Sequence, residues 1–168
     1  SKGFLHCDLN SPNILIDHNQ TLTLIDFGLA RPIQQAKLQR KIIGSTRSSP
    51  PELKEGGVWT ERGEIYSLGI LLQDILEACT EDVPLYLKNL LARCTHHNPK
   101  KRPRSAEDLY KMIKTKTEDI SNNTPVNHPV ESTENKPTDE TLKASPLVIF
   151  LGIIAVLVGI GIGIILST

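Results

Sequence analysis

Carboxylate and amide side chains are grouped near the start of the sequence, at Asp8, Asn13 and Asp26. Residues 13–17 and 21–25 are rich in leucine and β-branched residues and are separated by turn-forming residues, which predicts a β-hairpin. Asp8 and Asn13 lie on the loop that enters the hairpin, and Asp26 lies on the loop that leaves it. Because the two strands of a hairpin begin and end at the same edge, the three side chains should lie close together. Oxygen ligands suit Mg²⁺, and a carboxylate can orient an attacking hydroxyl, so this grouping predicts phosphoryl-transfer chemistry.

Three helices are predicted to follow the hairpin and support it. Residues 61–79 place apolar side chains three and four apart, which predicts a central, largely enclosed helix. A second helix is predicted over 84–94, and a third from Ser105, where Ser105 and Asp108 fit an N-terminal capping pattern. The predicted buried residues include Ile65, Leu68, Leu72, Leu87, Leu90, Leu91, Cys94, Leu109, Met112 and Ile113. The expected fold class is α+β, mainly α.

The composition excludes few classes of protein. Lysine plus arginine equals aspartate plus glutamate, 19 of each, so no basic excess points to a nucleic-acid partner. The three cysteines, Cys7, Cys79 and Cys94, have neither zinc-site spacing nor disulfide density, and we interpret them as reduced thiols.

Three regions differ in composition. Residues 1–116 can form a core, whereas residues 117–146 are rich in Ser, Thr, Asn, Pro and Glu and are predicted to be a disordered linker. Residues 147–166 are 20 uncharged, mostly apolar residues. At ~1.5 Å per residue they would span the ~30 Å hydrocarbon core of a bilayer, which predicts a single transmembrane helix.

Only two residues follow this apolar segment, so it resembles a C-terminal tail anchor with the rest of the chain on the cytoplasmic side. Lys143 agrees with that orientation. Gly159 and Gly163 stand four apart, a spacing that allows two helices to approach closely and form a weak dimer. Glycine is also common in membrane helices, and we favour that simpler explanation of the pair.

The motifs in the soluble part resemble those of eukaryotic-type protein kinases. The catalytic loop of that family is H-R-D-L-x-x-x-N and its metal loop is D-F-G. This chain has the corresponding residues in the same order: His6, Cys7, Asp8, Leu9, Asn13, Asp26, Phe27 and Gly28. The resemblance covers nearly all of residues 4–113 and implies the C-terminal lobe of a kinase.

The resemblance implies ATP and Mg²⁺ as cofactors and a protein as substrate. Asp8 would be the catalytic base or orienting group, and Asn10 would stand near the γ-phosphate. Asn13 and Asp26 would be magnesium ligands. The supporting residues would be His6, Phe27 and Gly28.

The later motifs resemble the activation segment and helical base of the same family. Ser45 matches its glycine-threonine pair, and Glu52 matches the close of its A-P-E motif. Glu52 would then pair with Arg102 of the KKRPR segment. Glu64 stands on the predicted central helix where the family usually has an aspartate.

Four features depart from the kinase pattern. Cys7 replaces an arginine that grips a phosphorylated activation loop in many relatives, and Asn10 replaces a common lysine. Glu64 has a longer side chain than the usual aspartate. Between Cys79 and Pro84 the sequence is too short for the helix that helps to dock protein substrates in most kinases.

The glycine-rich loop and strand lysine of the family belong to an N-terminal lobe that these 168 residues do not contain. The leading hypothesis is therefore the catalytic half of a membrane-tethered serine/threonine protein kinase, inactive alone. The alternative is a pseudokinase that acts as a membrane-anchored scaffold. A small-molecule or lipid kinase is a third reading, which the Pro51, Glu52 and Arg102 set argues against.

Overall fold

A computed structural model describes residues 3–18, 22–38, 46–77 and 83–122, with side chains described to residue 116. Strands β1 to β4 are Phe4–Leu5, Ile14–Ile16, Leu22–Leu24 and Arg31–Pro32. Helices α1 to α5 are Ile33–Ala36, Pro51–Lys54, Glu61–Glu77, Leu85–Cys94 and Ala106–Asn122. Short 3-10 turns cover Ser11–Asn13 and Pro99–Lys101. This is the mainly α architecture that the sequence predicts.

The predicted hairpin is confirmed. Strands β2 and β3 pair antiparallel, with Ile14 opposite Leu24 and Ile16 opposite Leu22. A second antiparallel pair, β1 with β4, was not predicted, because two-residue strands have no periodicity to detect. It places Leu5 opposite Arg31 and so joins the start of the chain to the segment after the hairpin.

The large hydrophobic core lies among α3, α4 and α5. Leu68, Leu87 and Leu109 are at most 1% exposed and pack in one cluster. The three predicted helices are confirmed, and Ser105 caps α5 by accepting the Asp108 backbone N–H at 3.2 Å. Helices α3 and α4 lie close together at Gly69, because a Cβ there would lie 2.8 Å from the Cβ of Cys94.

A smaller hydrophobic cluster surrounds Trp59, which is 2% exposed. Leu5, Cys7, Ala36 and Leu53 are buried with it. The next buried residue of the loop, Leu9, packs into the large core instead. The loop from Leu5 to Leu9 is therefore inserted into two separate clusters, and Asp8 lies between its two buried neighbours.

The helical backbone of α5 continues to Asn122, so it covers residues 117–122 of the predicted linker. The prediction relied on polar composition and overlooked Ile120, which follows Ile113 by two helical turns. The rest of that linker, the predicted transmembrane helix 147–166, and Gly159 with Gly163 lie outside the described residues. Among the helices that the structure does describe, none has the length and apolar character needed to cross a bilayer.

Candidate active site

Asp8 is held by two amide side chains of its own loop. Asn10 donates through Nδ2 to Asp8 Oδ1 at 3.0 Å, and Asn13 donates through Nδ2 to Asp8 Oδ2 at 3.2 Å. Asn13 Nδ2 also donates to the Asp8 carbonyl at 2.9 Å. Because each carboxylate oxygen has a donor, the plane of the carboxylate is fixed.

The same two amides also shape the loop backbone. Asn10 Oδ1 accepts the backbone N–H of Asn13 at 3.2 Å and so caps the 3-10 turn that leads into β2. Asn10 therefore contacts both Asp8 and Asn13 and positions them. Its predicted place near the γ-phosphate stays a prediction.

Asp26 is brought to this loop by the hairpin. Its neighbour Ile25 donates a backbone N–H to the Asn13 carbonyl at 2.9 Å, so the loops before and after the hairpin are joined. Asp26 has φ of 60° and is exposed, and its Oδ1 accepts the Gly28 backbone N–H at 3.2 Å. A Cβ on Gly28 would lie 3.1 Å from that same oxygen, so glycine suits this turn.

The donor set fits a magnesium ion that shares its coordination with phosphate and water. Asn13 turns its amide nitrogen toward Asp8, so its amide oxygen points away from Asp8. Asn13 and Asp26 would supply one oxygen each. Among the described residues no group of three or more His, Cys, Asp or Glu side chains is placed to hold a metal. Beside a nucleotide, Mg²⁺ usually takes only one or two protein ligands and completes its coordination with phosphate oxygens and waters.

His6 packs beneath the two loops and is 4% exposed. Its Nε2 donates to the Ile25 carbonyl at 3.1 Å, and its ring meets Phe27 edge-on with 5.0 Å between centroids. Burial lowers the pKa of His6, against the opposing effects of the Ile25 carbonyl, Asp8 and Asp26. Phe27 itself is 38% exposed, so it covers His6 on one side and is not a core residue.

Glu64, on α3, holds the backbone of the loop. It accepts the backbone N–H groups of His6 at 2.6 Å and Cys7 at 3.2 Å. Cys7 has φ of 64°, in the left-handed region that a side chain usually avoids, at a cost of about 1–2 kcal/mol. The two hydrogen bonds to Glu64 help to offset that strain, so the glutamate at this position of α3 contacts the loop directly.

Burial raises the pKa of Glu64 to about 7. The two backbone hydrogen bonds oppose this shift, and the nearby charge of Asp8 adds to it. Cys7 lies beside this carboxylate and is 1% exposed, and burial, with the Glu64 charge, raises the pKa of its thiol to about 12. Cys7 is therefore a neutral core residue, and its side chain presents no charge to an activation segment.

Glu52 and Arg102 form the predicted ion pair. Arg102 Nη1 and Nη2 donate to the two Glu52 carboxylate oxygens at 2.8 Å each. The guanidinium also donates to the backbone carbonyls of Arg62, His96 and His97 at 3.0, 2.7 and 3.0 Å. Since the Arg102 side chain is fully buried, this network ties α2 to the helical base.

Ser67 is a supporting residue that sequence analysis missed. It is 1% exposed, and its hydroxyl donates to the Ser48 carbonyl at 2.8 Å, which attaches the segment before α2 to α3. A serine on the otherwise apolar face of α3 was the available signal. Ser45, predicted to support the same segment, lies outside the described residues.

Comparison with known proteins gives a consistent result. The protein kinase domain model matches residues 1–86. A probable serine/threonine-protein kinase of Dictyostelium discoideum is 28% identical over 141 residues, covering 69% of this chain and 9% of that protein. Serine/threonine-protein kinase PrkC of Bacillus subtilis is 27% identical over 139 residues, covering 66% of this chain and 22% of its own length. A G-type lectin S-receptor-like serine/threonine-protein kinase of Arabidopsis thaliana is 39% identical over 75 residues, covering 43% of this chain and 10% of that protein.

Proposed function

This chain belongs to the protein kinase family, and we propose that it supplies the catalytic half of a serine/threonine protein kinase that transfers phosphate from ATP to a protein. The observation that carries the proposal is the geometry around Asp8, whose carboxylate is fixed by Asn10 and Asn13. Because the chain spans less than a quarter of each relative compared above, the activity of the whole protein is inferred from this half.

Asp8 would act on the substrate hydroxyl. A carboxylate held by two amide donors keeps one orientation, so it can accept the hydroxyl proton and direct the oxygen toward the phosphate. Asn10 and Asn13 would position it, and Glu64 would keep the loop in place through the backbone bonds to His6 and Cys7.

Asn13 and Asp26 would hold magnesium, which neutralises phosphate charge during the transfer when it is bound. The loops that carry Asn13 and Asp26 are joined by a backbone hydrogen bond, in which the Ile25 N–H donates to the Asn13 carbonyl at 2.9 Å. The exposure of Asp26 leaves its carboxylate accessible from solvent, as a group that meets a metal-bound nucleotide must be.

We further propose that activity does not require a phosphorylated activation segment. Where many kinases have an arginine that would bind such a phosphate, this chain has the buried, neutral Cys7. Activity should therefore be unchanged after phosphatase treatment. A clear loss of activity after that treatment would overturn this part of the proposal.

The experiment that tests the main proposal is phosphate incorporation from labelled ATP, with the protein expressed together with any sequence that precedes Ser1 in its gene. Asp8→Asn should lower incorporation by about 100-fold or more, because the base is removed. Asp17→Asn is the matched control, since Asp17 is exposed on the same hairpin and outside the site. Equal incorporation by the unmodified protein and Asp8→Asn would contradict the proposed catalytic function and would favour the alternative, a pseudokinase that acts as a scaffold.

We propose, in addition, that residues 147–166 tether the protein to a membrane with the kinase lobe on the cytoplasmic side. The support is the sequence itself, which offers 20 uncharged residues in a row. The protein should stay in the membrane fraction after alkaline carbonate extraction, and deletion of 147–166 should release it. Release of the undeleted protein would rule the tether out.

A further inference from the structure

A cavity of about 470 Å³ lies away from Asp8, where four segments of the helical base meet. These segments are the start of α3, the end of α4, residues 100–104 and the first turns of α5. Among its lining residues are five cations, which define what we call the basic cavity: Arg62, Arg93, Lys100, Lys101 and Arg104. Asp108 is the one acidic residue of that lining.

The five cations of the basic cavity form no ion pair with any described residue. Two other basic residues that line it are already paired: Arg102 with Glu52, and Lys111 with Glu107 at 2.7 Å. In the part of the chain that the structure describes, no carboxylate lies within ion-pairing distance of the five remaining cations. The cavity therefore concentrates positive charge in a chain whose formal net charge is zero.

Arg62, one of the five cations, also has an unsatisfied hydrogen-bond donor. Its Nε is buried and has no hydrogen-bond acceptor among the described residues. A buried N–H without a partner costs about 1–3 kcal/mol, and like charges around one cavity repel each other. An anion in the cavity would lower the repulsion and could supply acceptors to arginine groups.

We propose that the basic cavity binds a compact anion that carries several phosphate groups. Its volume falls in the range of about 300–1,000 Å³ that is usual for small-ligand sites. Arginine guanidinium groups match phosphate oxygens two at a time, and lysines add point charges. The head group of a phosphoinositide lipid and a soluble inositol phosphate share this chemistry. The proposal does not depend on phosphoryl transfer at Asp8.

Binding of inositol hexakisphosphate to the full chain in detergent, measured by calorimetry, tests the proposal. The triple variant Lys100→Gln, Lys101→Gln, Arg104→Gln should bind about tenfold more weakly or worse, because three phosphate contacts are lost. The matched control is Lys37→Gln, Lys54→Gln, Lys88→Gln, which removes the same charge from exposed residues outside the cavity and should bind like the unmodified chain. Circular dichroism checks that both triples are folded.

A short-chain phosphatidylinositol bisphosphate, used as a second probe, distinguishes the two sources of phosphate. Tighter binding of this lipid than of inositol hexakisphosphate would assign a membrane lipid, and the reverse order would assign a soluble ligand. No binding of either probe by the unmodified chain overturns the proposal. An equal loss of binding in the two triple variants also overturns it, since the attraction would then be non-specific.

Discussion

The Glu64 carboxylate connects α3 to the backbone of the loop that carries Asp8, and its protonation changes with pH in the neutral range. Burial raises its pKa to about 7 from an ordinary value of 4.5. Between these two values the folded chain holds a proton that the unfolded chain releases. The stabilising contribution of this group is therefore complete below pH 4.5 and is lost as the pH rises toward 7.

We predict that Glu64→Gln removes this component of the pH dependence. The free energy of unfolding in urea, measured from pH 4.5 to 7.5, should fall less with rising pH in the variant than in the unmodified chain. The lowered pKa of His6 acts in the opposite direction below pH 6.5, but it is common to both proteins and cancels in the difference. Glu77→Gln, at an exposed position of α3, should behave as the unmodified chain. Equal pH slopes for the unmodified chain and Glu64→Gln would contradict the raised pKa.

At the scale of elements, α2 is attached to the helical base by the Glu52–Arg102 ion pair. The two residues are 50 positions apart in the sequence. The remaining N–H groups of Arg102 donate to the backbone carbonyls of Arg62, His96 and His97. A buried cation that loses its carboxylate stays charged, since arginine does not deprotonate.

Glu52→Gln should therefore lower the free energy of unfolding by about 3–5 kcal/mol, measured in urea. The matched control is Glu55→Gln. Glu55 is 67% exposed and lies 3.6 Å from an exposed His97, so its loss should cost less than about 1 kcal/mol. A similar small effect for both changes would show that the pair does not hold α2.

The contact between α3 and α4 depends on the absence of a side chain at Gly69. An alanine Cβ there would lie 2.8 Å from both Cys94 Cβ and Thr95 Cγ2, closer than real contacts allow. Alanine favours a helix over glycine by about 1 kcal/mol, but overpacking costs about 1–3 kcal/mol. We expect Gly69→Ala to lower the melting temperature, whereas Glu77→Ala on the exposed face should not. A rise in melting temperature for Gly69→Ala would contradict this prediction, because it would show that α3 and α4 accommodate the added methyl group at a cost smaller than the gain in helix propensity.

At the scale of the whole molecule, the loop from Leu5 to Leu9 joins two hydrophobic clusters. Leu5 and Cys7 belong to the cluster of Trp59, and Leu9 belongs to the core of α3, α4 and α5. Trp59 is the single tryptophan of the chain, so its fluorescence reports on the small cluster alone. Far-UV circular dichroism reports mainly on the helices.

We predict that both signals change at one urea concentration, because the loop makes the clusters unfold together. Leu9→Ala should move both midpoints down together, at a cost of about 2–5 kcal/mol, since it opens a cavity where the loop enters the core. Leu38→Ala, at a position 82% exposed, should move neither. Two separate midpoints in the unmodified chain would show that the clusters fold independently.

The sequence by itself determined the features that depend on local spacing. Apolar periodicity located the hairpin and the helices α3, α4 and α5, and motif order led to Asp8, Asn13 and Asp26. The hairpin and the three helices were predicted correctly because the side-chain period of a helix or strand is set by neighbours along the chain. The roles of Asp8, Asn13 and Asp26 stay predictions. The end of α5 at Asn122 was missed because composition hid a continuing period.

Only the tertiary structure decided how distant residues support these groups. Glu64 accepts the backbone N–H of His6, 58 positions earlier in the chain, and nothing in the local sequence specifies this contact. Asn10 proved to be a partner of Asp8, and cations from four segments line one cavity. Burial and long-range contacts arise from chain packing, so the raised pKa of Glu64 and the basic cavity became visible only in three dimensions.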